Sequence, residues 1–215
     1  MAARRPSEPV VTESDRAYWE RQAKRYDLSM RYFGGPLVRM RALVAERVGP
    51  DDRVLEAAAG TGLVTLTLAR KAREVIATDY TAAMVELLGQ RIRHSGLGNV
   101  TCQQADLTAL PFPDASFDVV VAANVLHLLP DLPAAFTSLR RVLKPGGKLL
   151  VPTYCHRETW TANLLSRLLS LTGFPGYRRY TLATLTADLE ANGVRVLRTE
   201  LIRGPLPIGF VEGVF

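Results

Sequence analysis

The stretch VLEAAAGTGLV, residues 54–64, runs from a short apolar segment through a turn of small residues into a helical pattern. Gly60 and Gly62 carry no side chain, so the backbone of this turn can approach a ligand closely. The helix N-terminus that follows favours negative charge. The stretch therefore predicts a strand–turn–helix unit whose turn contacts a ligand.

The same strand–helix alternation continues along the chain. Strands are predicted at residues 53–57, 74–78, 99–104, 117–122 and 148–153, with helices at 61–71, 81–94 and 132–143 between them. Repeated units of this length imply an α/β fold, with a doubly wound parallel sheet and helices on both faces. Two last strands, at 194–202 and 208–215, are predicted as an antiparallel pair at one edge, which gives a mostly parallel sheet of seven strands.

Further helices precede the sheet and interrupt it after its fifth strand. They are predicted at 14–33, 36–48, 158–171 and 181–191, with a loop at 172–180. The length suits a single domain over residues 1–215. Its parts are an N-terminal helical lid at 1–50, a ligand-binding core at 51–155, an inserted helix and loop at 156–180, and a closing helix and strands at 181–215.

The composition is that of an ordinary globular protein, with 47% hydrophobic and 22% charged residues. Its two cysteines, Cys102 and Cys155, exclude a disulfide framework and a cysteine-rich metal site, and we expect no metal. No apolar stretch approaches the roughly 20 residues that cross a bilayer. The N-terminal residues lack the apolar run of a signal peptide, so we expect a cytoplasmic location.

The net charge of +6 is unevenly distributed along the chain. Residues 1–50 carry +4 and residues 139–180 carry +7, whereas residues 51–138 between them carry −4. Such asymmetry suggests an anionic partner or surface. A basic face that merely aids solubility is an equally open interpretation.

Acidic residues stand at two predicted strand ends. Glu56 ends the first strand, and Asp79 ends the second, where a carboxylate can accept hydrogen bonds from two ribose hydroxyls. A glycine turn followed by an acid also describes a dinucleotide site, so an oxidoreductase that uses a nicotinamide cofactor stays an alternative. Against it, the third small residue of such sites is missing after Gly62, and Glu56 would repel a pyrophosphate but attract a cationic ligand.

Five segments, in this order and spacing, resemble the class I, seven-stranded S-adenosylmethionine-dependent methyltransferases over roughly residues 50–155. They are the turn at 56–62, the acid Asp79, ADL at 105–107, FPDASFDVVVAANVLHLL at 112–129 and RVLKPGGKLL at 141–150. The family has a glycine where this chain has Ala58. We expect this departure to be tolerated because alanine is small.

The resemblance implies S-adenosylmethionine as cofactor and S-adenosylhomocysteine as product. In the family, the acid at Asp79 binds the ribose hydroxyls, Tyr80 and Met84 pack against the adenine, and Asp106 contacts its amino group. Tyr26 lies in a "YD" pair that resembles the N-terminal lid of quinone-biosynthesis and bacterial phospholipid methyltransferases. The full set expected to bind the cofactor is Tyr26, Glu56, Ala57, Ala58, Gly60, Asp79, Tyr80, Met84, Asp106, Leu107 and Asn124.

Candidates for a catalytic role lie near the ends of the fourth and fifth strands: His127, Tyr154 and His156. Methyl transfer depends mainly on positioning, and a general base is required only if the acceptor is protonated. A packed, hydrogen-bonded core histidine is an open alternative for His127. For Asn124, a contact to the cofactor or the acceptor and a structural bond to a loop are equally open.

The resemblance implies methyl transfer to a small-molecule or lipid-like acceptor. In the family, the N-terminal helices and the insertion after the fifth strand cover the acceptor pocket, and here both lie in the basic blocks. We therefore expect an apolar acceptor with an anionic part, or a membrane surface that presents it, with the helix at 158–171 as a lid or interfacial helix. A helix packed on its own domain is the alternative. For the whole chain, a nucleic-acid methyltransferase and a non-catalytic cofactor-binding module are the alternatives, although no RNA-binding module is recognisable.

Overall fold

The computed structural model describes residues 15–22, 34–170 and 176–215. Most of these residues form helices and strands. The strands are β1 (Arg53–Ala57), β2 (Glu74–Asp79), β3 (Val100–Gln104), β4 (Phe117–Val121), β5 (Leu143–Tyr154), β6 (Arg195–Ile202) and β7 (Ile208–Val214). The helices are α1 (residues 15–22), α2 (Gly34–Ala45), α3 (Thr65–Ala69), α4 (Ala82–Ser95), α5 (Leu132–Val142), α6 (Trp160–Ser170) and α7 (Leu182–Ala191).

The seven strands form one sheet in the order β3-β2-β1-β4-β5-β7-β6. The five strands from β3 to β5 in this order are parallel, and β7 pairs antiparallel with both β5 and β6. The predicted fold class, including the antiparallel pair at one edge, is therefore confirmed. The strand order reverses between β1 and β4, and ligands of such sheets bind outside the carboxyl ends of the strands at this point.

Both faces of the sheet are covered, as the apolar β1 and β4 require. Val54 packs on one face with residues of α2 and α3, and Leu55 packs on the other with residues of α5 and α7. All four residues from Val54 to Ala57 are buried. The carboxyl end of β1 is thus fixed from both sides, which gives the following turn a rigid base.

Two elements differ from the sequence prediction around glycine-containing loops. The helix expected at 61–71 begins only at Thr65, because residues 60–64 form turns. The strand expected at 148–153 already begins at Leu143, which pairs with Phe117 before the register shifts at the following residues. The other described elements lie within a few residues of their predicted bounds.

Some expectations fall on parts of the chain outside the description. Residues 15–22 are helical, as predicted, but the rest of the helix expected at 14–33, including Tyr26, lies outside the described residues. So do residues 171–175 of the inserted segment. Within the three described ranges, no helix is long and apolar enough to cross a bilayer, and no three His, Cys, Asp or Glu side chains are grouped to hold a metal ion.

Candidate functional site

The turn after β1 is held in a backbone conformation that glycine favours. Ala58, Gly60 and Gly62 have φ of 59°, 55° and 88°. The turn is fixed to its neighbours, since the Ala59 amide donates to the carbonyl of Thr78 at 2.7 Å. A residue with a Cβ in this left-handed region costs about 1–2 kcal/mol. Ala58 therefore carries backbone strain at this position.

The two glycines of this turn serve different purposes. A Cβ added at Gly60 would meet no atom within 4 Å, so the space beside it is open to a ligand. A Cβ at Gly62 would lie 2.5 Å from the Cδ1 atom of Leu88 in α4. Gly62 thus leaves room for Leu88 of α4. Gly60 is the glycine beside which the structure leaves space for a ligand to approach the backbone.

Glu56 is an acid buried at the carboxyl end of β1. Its side chain is 2% exposed, and its Oε2 atom accepts a hydrogen bond of 2.5 Å from the Thr65 hydroxyl. Burial raises the pKa of Glu56 from 4.5 to about 8; the Thr65 hydrogen bond opposes this rise, and the nearby charge of Asp79 adds to it. A buried carboxyl with a raised pKa favours the binding of a cationic group that stabilises its ionised form.

Asp79, at the end of β2, is tied directly to the turn. Its Oδ2 atom accepts a hydrogen bond of 2.9 Å from the Gly60 amide. Its Oδ1 atom accepts from the amide and the hydroxyl of Thr81, at 3.0 and 3.1 Å. Burial raises the pKa of Asp79, and these hydrogen bonds oppose the rise. Because an ionised carboxylate has about four acceptor positions, the group can still accept hydrogen bonds from a ligand.

Asp106 follows β3 and lies next to Asp79 along the same sheet edge. The Ala105 amide donates to the Asp79 carbonyl at 3.0 Å, which fixes this segment. The Oδ1 atom of Asp106 accepts from the amide and hydroxyl of Thr108, at 2.8 and 2.7 Å, and so caps a short 3-10 turn. Asp106 thus has a structural role that leaves its second oxygen without a hydrogen bond to the described residues.

Apolar candidates for the cofactor site surround these acids. Met84 and Leu107 are buried, and Tyr80 is half-buried. The Arg16 guanidinium of α1 lies 5.5 Å from the centroid of the Tyr80 ring, a cation–π contact. Ala57 is fully buried in β1. The structure therefore brings the expected cofactor residues from Glu56 to Leu107 to the carboxyl ends of β1, β2 and β3, with α1 beside them.

Asn124 adds an amide from the other side of the switch point. It follows β4 with φ of 53°, and its backbone amide donates to the Pro152 carbonyl at 2.7 Å. Its side-chain oxygen is buried and has no hydrogen-bond partner among the described residues. A buried unpartnered oxygen is costly unless a ligand or water donates to it. This is the arrangement expected of a ligand-binding group.

His127, Tyr154 and His156 form an aromatic cluster at the ends of β4 and β5. The ring centroids of His127 and His156 are 5.3 Å apart, and Tyr154 lies 6.4 Å from the first and 6.1 Å from the second. All three side chains are at most 5% exposed. The structure thus joins the three candidates for a catalytic role in one buried group.

Burial determines the charge state of the two histidines. It lowers the pKa of His127 to about 3, with a further contribution from His156, and the pKa of His156 to about 4, with a further contribution from Arg179. Both rings are therefore neutral at pH 7. Neither ring nitrogen of His156 has a hydrogen-bond partner among the described residues, and the same is true of the Thr153 hydroxyl. Thr153 cannot be singled out from the sequence, where its only signal is a hydroxyl in an apolar strand.

The inserted segment also contacts this cluster. The amides of Tyr177 and Arg178 both donate to the carbonyl of His127, at 2.9 and 3.2 Å. The Tyr177 hydroxyl donates to the Asp15 carboxylate of α1 at 2.8 Å. The N-terminal segment and the inserted segment therefore meet above the site, through two residues that the sequence analysis did not single out.

The central part of the chain matches the model of a known family: residues 55–151 match the family described as "Methyltransferase domain". The match covers a little less than half of the chain. The matched region contains Glu56, Asp79, Asp106, Asn124 and His127. Tyr154, His156 and α6 lie beyond it.

Curated relatives are similar over the same region. The chain is 38% identical, over 136 residues, to the ubiquinone/menaquinone biosynthesis C-methyltransferase UbiE of Teredinibacter turnerae, which covers 60% of this chain and 55% of that protein. It is 42% identical, over 106 residues, to the protein of the same name from Shewanella sp. strain ANA-3, which covers 47% and 42%. The chain thus spans about half the length of the curated relatives that it matches.

Solved structures share the fold of this chain. An S-adenosylmethionine-dependent methyltransferase from Aquifex aeolicus superposes with a TM-score of 0.72 at 21% identity, covering 91% of this chain and 98% of that one. The cyclase SpnF superposes with a TM-score of 0.68 at 22% identity, covering 82% and 80%. Since a cyclase has the same fold, the fold alone does not establish the reaction.

The basic charge of the insertion is smaller than the sequence blocks suggested. Of the eight basic residues in 139–180, four precede residue 149, toward the amino end of β5, which lies at the sheet edge opposite the site. Two of these form ion pairs, Lys144 with Asp118 at 2.7 Å and Arg141 with Asp114 at 2.9 Å. The insertion therefore holds only part of the +7 of residues 139–180. Residues 156–180 hold four arginines and one glutamate.

Proposed function

We propose that this protein transfers a methyl group from S-adenosylmethionine to a small-molecule acceptor and releases S-adenosylhomocysteine. The observation that carries the proposal is the pair of acids Glu56 and Asp79 at adjacent strand ends, with the Gly60 amide bonded to Asp79, at the switch point of a methyltransferase domain. When bound, the cofactor supplies an electrophilic methyl group on a positively charged sulfur.

The residues at this edge fit such a cofactor. The open space beside Gly60 admits it, and the remaining acceptor capacity of Asp79 suits the two ribose hydroxyls. We propose that Tyr80 and Met84 pack against the adenine and that Asp106 and Leu107 bind its polar edge. Glu56 and the unpartnered oxygen of Asn124 would hold the cationic methionine part, and Ala57, Ala58 and Tyr26 complete the proposed site.

At the acceptor end, we propose that the aromatic cluster positions the acceptor and does not deprotonate it. A base is most effective when its pKa lies near the working pH, whereas His127 and His156 have pKa values of about 3 and 4. A neutral imidazole offers one donor and one acceptor nitrogen. His156, with neither nitrogen bonded to the described residues, therefore suits an acceptor with a hydroxyl or carbonyl group, and Tyr154 provides an aromatic wall beside it.

The two segments that meet over the site support the proposal that residues 1–215 form one functional unit. The Asp15–Tyr177 hydrogen bond joins the N-terminal segment at 1–50 to the insertion at 156–180, above the core at 51–155. We propose that these two segments enclose an apolar, lipid-like acceptor whose anionic part meets the arginines of the insertion. The curated relatives are named as C-methyltransferases of quinone biosynthesis, so a quinone-type acceptor is the first to test.

The experiment is a label-transfer assay with methyl-labelled S-adenosylmethionine and fractionated cell extract. We expect label in the fraction soluble in organic solvent. Label that appears instead in nucleic acid would contradict the acceptor class. Cofactor binding without transfer to any fraction would favour a non-catalytic binding module.

A further inference from the structure

The outward face of α6 carries two large, exposed apolar side chains. Trp160 is 77% exposed and Leu164 is 51% exposed, and the exposed Arg167 follows at the spacing that continues this face. In the same stretch, residues 160–167, the two buried residues are small, Ala162 at 0% and Ser166 at 7% exposure, and Leu165 is half-buried. Most of Trp160 and half of Leu164 are thus left uncovered on the outward face.

The charge around this face is positive. Arg157 precedes the helix and is exposed, and Arg167 lies on the face itself. The single acid of the segment, Glu158, is engaged elsewhere, because its Oε2 atom accepts a hydrogen bond of 2.8 Å from the Leu182 amide at the start of α7. An exposed tryptophan and leucine flanked by arginines are complementary to a surface that is apolar beneath and anionic on top.

The face also lies close to the proposed acceptor site. Ala162, on the inner side of α6, packs in the same cluster as Tyr154. The helix begins four residues after His156. A molecule that leaves a bilayer beneath the outer face of α6 would thus enter the domain next to the aromatic cluster.

We propose that the outer face of α6, formed by Trp160, Leu164 and Arg167 together with Arg157, docks on an anionic lipid bilayer. The two apolar side chains enter the interfacial region, where an indole ring is well accommodated, and the exposed guanidinium of Arg157 meets lipid phosphates. The inference rests on the proposed function only for the lipid-like nature of the acceptor. The bilayer contact itself follows from exposure, spacing and charge.

Co-sedimentation of the whole protein with vesicles tests this docking. We expect binding to vesicles of phosphatidylglycerol and phosphatidylcholine, and much weaker binding to phosphatidylcholine alone. The double variant Trp160→Ala/Leu164→Ala should bind the anionic vesicles at least about tenfold more weakly, since it removes most of the apolar area that enters the interface. The matched control is Val38→Ala/Leu197→Ala, which truncates two similarly exposed side chains, at 58% and 49%, on α2 and β6.

Equal loss of binding in both double variants, or no binding of the unaltered protein to either vesicle, would overturn the docking proposal. So would a change in oligomeric state of the α6 variant in sedimentation velocity, because it would assign the face to a protein partner. Titration of both variants with S-adenosylmethionine checks that they are folded. Failure of the unaltered protein in that titration would contradict the proposed function without affecting the vesicle result.

A spectroscopic readout reports on Trp160 itself. Trp19→Phe leaves Trp160 as the single tryptophan of the chain. We expect its emission to shift to the blue with anionic vesicles, and the shift to weaken as salt is raised or when Arg157→Glu is added. An emission spectrum that does not change with vesicles would also overturn the proposal.

Discussion

Glu56 is the residue at which stability and the proposed function conflict most directly. It is 2% exposed, with one hydroxyl partner, and its pKa is about 8 in the folded protein against 4.5 for an ordinary glutamate. A group whose pKa is raised by folding favours the folded state below its unfolded pKa and loses that contribution as the pH rises through the folded pKa. Glu56 therefore destabilises the folded state increasingly as the pH rises from 4.5 to 8.

Glu56→Gln should therefore stabilise the protein in a pH-dependent manner. The free energy of unfolding of the variant, relative to the original protein, should rise by roughly 2–4 kcal/mol between pH 5 and pH 8, since only the glutamate ionises. Urea unfolding at the two pH values measures this difference. Glu86→Gln on the exposed side of α4 is the control and should show no such trend. A difference that is constant with pH would contradict the raised pKa of Glu56.

Ala58→Gly should relieve the backbone strain at φ of 59°. We expect a net stabilisation of about 0.5–1 kcal/mol, because the relief of about 1–2 kcal/mol exceeds the added entropy of the unfolded chain. Chemical unfolding at pH 7 measures it. Ala115→Gly, at φ of 51°, should stabilise as well, whereas Ala59→Gly, outside the positive region, should destabilise. A loss of stability in Ala58→Gly as large as in Ala59→Gly would show that the turn is not strained.

At the scale of elements, the sequence pattern predicts the repeated strands and helices. It misplaces the start of an element where a glycine-containing loop changes the backbone conformation. The run of valines in β4 and the apolar β1 predict the buried centre of the sheet. The later start of α3 follows from the positive φ at Gly60 and Gly62, which turn residues 60–64 out of a helix. Positive φ cannot be recognised from periodicity, although glycine makes it accessible.

Long-range contacts between elements are likewise beyond the sequence pattern. Asp15 and Tyr177 are 162 positions apart and carry no motif, so their hydrogen bond follows only from the fold. The aromatic cluster is an intermediate case. Its three residues could be chosen from strand ends, but their neutral charge state follows from burial, which only the packed structure defines.

Tyr177→Phe tests the contact between the N-terminal and inserted segments. Removal of the hydroxyl should increase amide hydrogen exchange of residues 15–22 by up to about fivefold, since an exposed hydrogen bond of this kind contributes on the order of 0.5–1 kcal/mol. Exchange of the amides in β4 should not change and serves as the internal control. Unchanged exchange in residues 15–22 would mean that this hydrogen bond does not hold α1 in place.

At the scale of the whole molecule, one sheet brings together residues from distant parts of the chain. The order β3-β2-β1-β4-β5 aligns Asp106, Asp79, Glu56, Asn124 and His156 along one edge, in the order of their strands. The acids lie on one side of the switch point, and the amide and the aromatic cluster lie on the other. We propose that the cofactor lies along the acids and reaches across the switch point to Asn124, and that the acceptor lies beside the aromatic cluster.

The central claim is that this edge binds S-adenosylmethionine through Asp79. Isothermal titration of the whole protein with S-adenosylmethionine, S-adenosylhomocysteine and NADH tests it most directly, with Asp79→Asn as the paired variant. We predict one binding site for S-adenosylmethionine, one for S-adenosylhomocysteine, and no binding of NADH. The variant should bind S-adenosylmethionine at least about tenfold more weakly, because hydrogen bonds to a charged acceptor contribute roughly 1.5–3 kcal/mol. Binding of NADH, or equal affinity of the variant for S-adenosylmethionine, would contradict it.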